Sequence, residues 1–187
     1  MATRVEIEKL LKRKVEKLAE QTIEAVGKET ARGARQNFNA VKGEIPADDP
    51  NISVYELPIV RENQHSWYKT IVCDGNQVLF VEFGAGQHEQ NKTSTVGLVG
   101  EKQTELAPRP KGIHSIGGYG KHKGKGDYWF YASETGRTSS NARRIRFSHR
   151  SGKYTMLTIG IRPVRALWRA VQVAIRKLEE GWFKTND

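Results

Sequence analysis

The sequence predicts an α+β fold, in which a long N-terminal helix and a C-terminal helix pack on a mainly antiparallel four-stranded sheet with a long Gly-rich loop. Apolar residues at three- and four-residue spacing predict amphipathic helices at both ends of the chain. Short β-branched and aromatic runs between them predict the strands. At 187 residues, we predict one domain over 1–187, comprising a helix in 1–38, a linker in 39–62 and the sheet, loops and last helix in 63–187.

The N-terminal helix is predicted to run from about Thr3 to Phe38. Thr3 and Glu6 have the spacing of a capping box, and a helix of this length extends about 50 Å. Because the core of one domain does not cover such a length, part of the helix must stand free or meet another chain. Gly27 and Gly33 each weaken a helix by about 1 kcal/mol relative to Ala. They predict a kink or break in the second half and a firmer first half.

The middle of the chain is predicted to be a linker followed by a hairpin. Residues 40–58 contain several prolines, which cannot continue a helix, so we expect an irregular linker there. Two apolar runs, Ser66 to Cys73 and Gln77 to Phe83, predict strands joined by a turn at Asp74-Gly75-Asn76. Glu82 then lies at a strand end, where we expect an ion pair or a backbone hydrogen bond that fixes that end. The alternative for Glu82 is a buried catalytic acid.

The rest of the sequence, from residue 87 onward, predicts a long loop, two strands and a helix. Residues 87–126 are Gly-rich without clean periodicity, and we expect this loop to be disordered in the unassembled protein. Strands are predicted at 127–132 and 154–159, with a basic loop between them. Pro163 is predicted to open the last helix, and Gly181 to end it. The apolar face of that helix is predicted to comprise Val164, Leu167, Val171, Ala174, Ile175 and Leu178.

The net charge of +10 is concentrated in one part of the chain. Residues 109–153 hold eleven basic side chains against two acidic ones, and the rest of the chain is nearly neutral. This pattern favours a local contact with phosphate or an acidic neighbour, with a solvated loop as the alternative. The cations of interest are Lys121, Lys123 and Lys125 in the loop and Arg143, Arg144, Arg146 and Arg150 in a predicted basic arm.

Several classes of function have no support in the sequence. The single Cys73 excludes an intrachain disulfide, and the chain has no apolar run long enough for a membrane span and no signal peptide, so we expect a protein made and kept in a cytoplasm. The five histidines lack metal-ligand spacing, and no serine or cysteine lies in a nucleophile motif. We therefore predict no enzyme activity, no metal and no cofactor.

The run Asn76-Gln77-Val78-Leu79-Phe80-Val81-Glu82-Phe83-Gly84-Ala85-Gly86 resembles the signature of the bacteriophage tail-component family, which includes head-tail joining, neck and tail-completion proteins. The long charged N-terminal helix, the stretch Gly117-Gly118-Tyr119-Gly120-Lys121, the aromatic strand Tyr128-Trp129-Phe130-Tyr131 and the closing helix after Arg162-Pro163 follow the same order. The resemblance covers most of the chain.

This resemblance implies a structural virion protein without catalysis, assembled in the host cytoplasm as a ring of six or twelve copies at the head-tail junction. Its implied partners are further copies of itself, the head-connector and tail-tube proteins and, within the lumen, genomic DNA. Glu82, Phe83, Gly84 and Gly86 are then interface residues, and we expect Arg143, Arg144 and Arg146 to contact an acidic surface of an adjacent ring protein. The alternative is a nucleic-acid-binding module that uses residues 109–153, and a third hypothesis is a metal-dependent nuclease or toxin.

Overall fold

The computed structural model describes residues 3–63, 66–83, 85–86, 129–158, 160–161 and 164–182. The predictions made for the loop at 87–126, including Lys121, Lys123 and Lys125, fall outside the described residues, as do those for Gly84 and Pro163. Within these ranges the chain forms three helices and nine strands, and every described strand pairing is antiparallel. The predicted α+β class is confirmed.

Helix α1 spans Arg4–Ala40 and begins with the predicted capping box. The Thr3 amide donates to the Glu6 carboxylate at 2.7 Å, and the Glu6 amide donates to the Thr3 hydroxyl at 3.3 Å. The helix continues through Gly27 and Gly33, so the prediction of a break was wrong. Its buried residues all lie from Gly27 onward. Packing therefore holds the second half of α1, contrary to our expectation of a firmer first half.

Helix α3 spans Ala166–Glu179 and starts later than the predicted Pro163. Its C-terminus closes as predicted, because Gly181 adopts φ +73°, a conformation that favours glycine. Gly181 N donates to Leu178 O at 3.0 Å and Trp182 N to Lys177 O at 2.9 Å. These two bonds form a Schellman motif, which satisfies carbonyls that the helix end leaves free.

The second half of α1 packs antiparallel against α3. Asn37 Nδ2 donates to Ala166 O at 2.9 Å in the buried contact, and a Cβ placed on Gly33 would lie 3.0 Å from the Cβ of Ala170. Gly33 therefore allows the two helix backbones to approach closely, which a larger side chain would prevent. This close contact explains a glycine in the interior of a helix.

The face of α3 that contacts α1 differs from the predicted apolar face. Ala166, Ala170 and Ala174 are buried, whereas Ile175 and Leu178 are 40% and 42% exposed. Short side chains are required opposite Gly33, so the alanines occupy the contact and the larger apolar residues lie beside it or point outward. Periodicity alone does not separate these two faces.

The predicted linker is part of the fold. Val41, Ile45, Ala47 and Val54 are buried with the second half of α1 in one hydrophobic core. Strand β1, Ser53–Glu56, lies in this segment and pairs with β4, Ile71–Asp74, while β2, Val60–Arg61, pairs with β3, Trp67–Tyr68. The helix ends at Ala40, before the first proline at Pro46, and the chain turns back onto α1 and brings these apolar residues into the core.

The predicted hairpin at Asp74-Gly75-Asn76 was wrong, because its second strand is helix α2, Val78–Phe83. Gly75 adopts φ +147°, and its carbonyl accepts from Val78 N at 3.2 Å. The first strand, β4, pairs instead with β1. A six-residue apolar run fits a buried strand or a short helix equally well by periodicity, and here the helix buries Val81.

A three-stranded sheet, in the order β6-β8-β7, follows the undescribed segment. It comprises β6, Trp129–Ser133, β7, Ala142–Ser148, and β8, Lys153–Thr158. The strands predicted near 127–132 and 154–159 are confirmed as β6 and β8, but the predicted basic loop between them contains strand β7. Strand β5, Ala85–Gly86, pairs separately with β9, Gly160–Ile161. The described residues thus form several small sheets in place of the predicted four-stranded one.

Candidate functional site

Glu82 joins α2 to the N-terminus of α3. Its Oε2 accepts from Leu167 N at 3.0 Å and its Oε1 from Trp168 N at 3.1 Å. One residue earlier, Val81 O accepts from Val164 N at 2.7 Å. Of the two roles predicted for Glu82, an ion pair or a backbone hydrogen bond, the backbone hydrogen bond is confirmed, whereas its placement at a strand end was wrong. The side chain lies on a helix and caps another helix 85 residues away in sequence.

The electrostatic setting of Glu82 is that of a helix cap. α3 is preceded by Arg165 in the left-handed region at φ +59°, which provides no side-chain cap of its own. The Glu82 carboxylate accepts from first-turn amides that lack intrahelical partners, and it lies at the positive end of the helix dipole. Burial raises the pKa of Glu82, although the amide hydrogen bonds and the charge of Arg165 act in the opposite direction.

Burial also shifts the pKa of two groups that interact electrostatically with Glu82, Cys73 and Arg169. Burial, with a smaller contribution from the charge of Glu82, raises the pKa of the Cys73 thiol to about 11. Burial also lowers the pKa of Arg169, and Glu82 opposes that change. A thiol with this pKa is protonated near neutral pH and is a poor nucleophile. The cluster around Glu82 is therefore suited to holding α2 against α3.

Two other residues of the predicted interface motif, Phe83 and Gly86, lie at the same junction. Phe83 is the last residue of α2, and Gly86 lies in β5, opposite Gly160 of β9. Gly84 lies outside the described residues. The motif thus connects the helix that caps α3 to a strand that pairs with the segment before α3.

Strand β7 carries three of the predicted arginines at solvent-exposed positions of the three-stranded sheet. Arg143, Arg144 and Arg146 are all exposed. Arg143 pairs with Leu157 and Arg146 with Thr155, so these two arginines share a face of the sheet, while Arg144 pairs with Met156 on the other face. The register shifts between Arg144 and Arg146. The arginines are thus held on a strand with a bulge and do not project as a flexible arm.

Aromatic contacts accompany these cations near the β7–β8 turn. The guanidinium of Arg144 lies 4.8 Å from the ring centroid of Tyr154. The ring of Phe147 lies 4.8 Å from Tyr154 and 5.1 Å from His149. Arg150, the fourth predicted arginine, is exposed in the turn itself. Cations and exposed aromatic rings therefore share one end of the sheet.

Not every cation of the basic segment is available to a partner. Arg137 donates to three backbone carbonyls of the segment after α1, those of Ile45 at 3.2 Å, Ala47 at 2.8 Å and Lys42 at 3.2 Å. Lys153 forms an ion pair with Glu134 at 3.1 Å. Arg137 therefore holds the fold together, although it is one of the eleven cations counted in residues 109–153.

Asp48 is a connecting residue that the sequence analysis missed. Its carboxylate accepts from Glu134 N at 2.8 Å, from the Thr135 hydroxyl at 2.9 Å and from the buried Ser133 hydroxyl. These hydrogen bonds attach the segment after α1 to the end of β6. They lower the pKa of Asp48 against the opposing effect of burial, which is the largest single cause. The pair Asp48-Asp49 before Pro50 was the only signal, and it is also typical of an ordinary turn.

The first half of α1 extends past the end of α3. Glu29 accepts from Lys177 in the last turn of α3 at 2.7 Å, so about 25 residues of α1, or about 37 Å, precede that level. The β2–β3 hairpin supports one side of this extension, where Arg61 pairs with Glu16 at 2.9 Å and Lys69 pairs with Glu24 at 2.5 Å. The prediction that part of the helix stands free of the core is confirmed.

A row of large apolar side chains follows this extension and is about half exposed or more. We call it the α1 row: Ile7, Leu10, Leu11, Val15 and Leu18. At 100° per residue, Ile7, Leu11 and Leu18 fall within about 40° of one another on the helix, whereas Glu16 points to nearly the opposite side. The row therefore faces away from the β2–β3 hairpin.

Comparison with known proteins gives no relative: no family model, no curated protein and no solved structure matches the chain. Among the residues that the structure describes, no group of three or more His, Cys, Asp or Glu side chains could hold a metal ion. In the same part of the chain, no helix has both the length and the apolar character needed to cross a membrane.

Proposed function

We propose that the chain is a structural protein of a tailed-bacteriophage virion that forms a ring at the head-tail junction, as a neck, terminator or tail-completion protein. Its partners are further copies of itself, in a hexamer or dodecamer, and the adjacent head-connector and tail-tube proteins. The resemblance of residues 76–86 to the tail-component signature motivates this assignment. The observation that carries it is the α1 row, because five large apolar side chains outside the core favour a subunit that is completed by neighbours.

The arrangement of the motif agrees with a ring subunit. Glu82 is used to cap α3, and no catalytic role is needed to explain it. The burial of α2 against α3 fixes the orientation of both helices, as a subunit with rigid contact surfaces requires. In this proposal Glu82 contributes to the ring by fixing the conformation of the subunit, in addition to any direct contact of the motif with a neighbouring copy.

The arginines of β7 are assigned to an acidic surface of the adjacent ring protein. Arginine suits such a contact because its planar guanidinium pairs with carboxylates through two hydrogen bonds. Phosphate contacts within the lumen are the less favoured role, because many fixed cations would retain DNA through a salt-dependent affinity. A strand holds Arg143 and Arg146 side by side and thus prearranges them for a protein surface.

The direct test is to locate the chain in particles of a phage that encodes it, by electron cryomicroscopy. We expect a closed ring of this chain at one level of the head-tail junction. Mature particles that lack the chain would overturn the proposal. Arg143→Ala, Arg144→Ala and Arg146→Ala combined should leave the protein folded and lower the yield of joined particles. The charge-matched control is Lys9→Ala, Lys12→Ala and Arg13→Ala, on the side of α1 away from the α1 row.

A second candidate, a nucleic-acid-binding module, is favoured by the cations and exposed aromatic rings at the β7–β8 end of the sheet. Stacking on Phe147 and phosphate contacts from the arginines would bind a single strand. Its signature is an affinity that falls steeply with added salt. If joined particles form normally with the triple arginine variant but fail to retain or eject DNA, the phosphate role is correct and the acidic-surface role is wrong.

A further inference from the structure

Two apolar surfaces lie on different helices, and one chain cannot bring them together. The first is the α1 row, beyond the level at which α3 ends. The second lies on the side of α3 away from its alanine contact with α1, and we call it the α3 row: Val171, Ile175 and Leu178. Within it Val171 is half-buried, while Ile175 and Leu178 are 40% and 42% exposed. α1 is already fixed to the alanine side of α3, so its own row cannot reach the other side.

The α3 row is shorter than the α1 row and fits within its length. Residues 7–18 of α1 extend about 17 Å at 1.5 Å per residue, and residues 171–178 of α3 extend about 11 Å. Side chains four residues apart lie on one face of a helix, which places Leu11 next to Ile7 and Val15, and Ile175 next to Val171. The α3 row can therefore lie along the α1 row as a helix-helix contact over about two turns.

The charges beside the rows are complementary. Lys14 and Lys17 lie on α1 next to the row at 100° per residue, and both are exposed. Glu179 and Glu180 are exposed at the C-terminus of α3, which is also the negative end of the helix dipole. Of the two cations in the last turn of α3, Arg176 and Lys177, Lys177 is paired with Glu29 of its own chain. The negative end of the α3 dipole, with Glu179 and Glu180, attracts cations. Lys14 and Lys17, which lie beside the α1 row, can supply them.

We propose that the α1 row of one copy docks on the α3 row of the next copy. The contact joins two different surfaces, so every copy offers one of each, and repetition generates a closed ring when the rotation between copies permits it. The inference deepens the ring proposal and rests on it for closure. It names the surfaces through which the ring subunits meet.

The test uses disulfide trapping, which captures weak contacts. Two proteins are prepared in a Cys73→Ser background without other thiols. One carries Leu11→Cys and the other carries Ile175→Cys. Both positions are exposed, and circular dichroism checks that each variant keeps its helices. Under mild oxidation we expect a dimer from the mixture at least tenfold above that from either variant alone. A chain carrying both cysteines should give a ladder of higher oligomers.

Control cysteines on the same helices test the specificity of the trap. Arg13→Cys and Arg176→Cys lie on exposed sites away from the two rows, and their mixture should give only background dimer. A mixture of the Leu11 and Ile175 variants that does not exceed this background overturns the proposal. A dimer that forms from Leu11→Cys alone, equal to that in the mixture, also overturns it, because two α1 rows would then meet each other.

The outcome also separates this contact from the proposed function. If the trap fails while rings of the chain are found at the head-tail junction, the contact is wrong and the ring proposal stands. If the ladder forms but virions lack the chain, the contact stands and the virion assignment is wrong.

Discussion

Replacement of Glu82 by alanine tests the connection between α2 and α3. The substitution removes the acceptor of two amides in the first turn of α3, those of Leu167 and Trp168 at 3.0 and 3.1 Å. A hydrogen bond to a charged group contributes about 1.5–3 kcal/mol, which would total about 3–6 kcal/mol for two. Burial opposes this gain, as the raised pKa of Glu82 shows. Loss of an N-cap side chain costs about 0.5–2 kcal/mol, so we expect a net loss of about 1–3 kcal/mol.

The assay is thermal unfolding followed by circular dichroism. For a chain of this size, 1 kcal/mol lowers the Tm by about 2–4 °C, so a loss of about 2 kcal/mol corresponds to about 4–8 °C. Glu82→Gln retains one acceptor oxygen and should lose less. Glu62→Ala, at an exposed glutamate, is the matched control and should leave the Tm unchanged. A Glu82→Ala variant with the Tm of the wild type would refute the capping role.

Three further outcomes follow from buried or closely packed groups. Because burial raises the pKa of Glu82 above its ordinary value of 4.5, the folded protein binds this proton more tightly than the unfolded chain does. The free energy of unfolding of the wild type relative to Glu82→Gln should therefore fall as pH rises from about 4.5, and a parallel pH dependence of both proteins in urea titrations would contradict this. Gly33→Leu should destabilise by about 1–3 kcal/mol, because a Cβ there already lies 3.0 Å from that of Ala170, whereas Gly43→Leu, where a Cβ meets no atom within 4 Å, should not; equal Tm values would argue against the close helix contact. Asp48→Ala should cost about 1–3 kcal/mol by leaving the buried Ser133 hydroxyl and the exposed Glu134 amide without their acceptor. Chemical denaturation measures this, and an unchanged midpoint would show that the sheet end is held by other contacts.

Local sequence patterns correctly predicted those structural features that depend only on residues close together in the sequence. The capping box at Thr3 and the turn at Gly181 each need only a few adjacent residues, and both were predicted correctly. β6 and β8 were also found from their composition. The hairpin at Gly75 failed because the partner of β4 is β1, on the other side in sequence. A short apolar run does not specify its distant partner.

The candidate site depended even more on distant contacts. The sequence identified Glu82 and its backbone hydrogen bonding but not the helix that it caps, because Leu167 lies 85 residues further along the chain. The charge count of residues 109–153 also includes Arg137, although its guanidinium is bound to the carbonyls of Ile45 and Lys42, more than 90 residues earlier in the chain. Charge composition shows where cations are concentrated, whereas only the fold shows which of them remain on the surface.

The sizes of the exposed rows determine how strongly single copies would associate. Full burial of one large aliphatic side chain contributes about 1.5–3 kcal/mol, and the rows are already about half-buried on average, so each residue adds about 1 kcal/mol. Eight residues in the two rows then contribute about 8 kcal/mol, within the estimated cost of association of about 4–15 kcal/mol. One contact alone therefore gives a weak complex, and an isolated chain should be largely monomeric or weakly associated.

In a ring, the last copy forms two contacts while it loses its translational and rotational freedom only once. Closure thus makes assembly cooperative, so rings should accumulate at the expense of short open oligomers as the protein concentration rises, which sedimentation velocity measures. A smooth distribution of open oligomers that lengthens with concentration would instead indicate that the contact does not close.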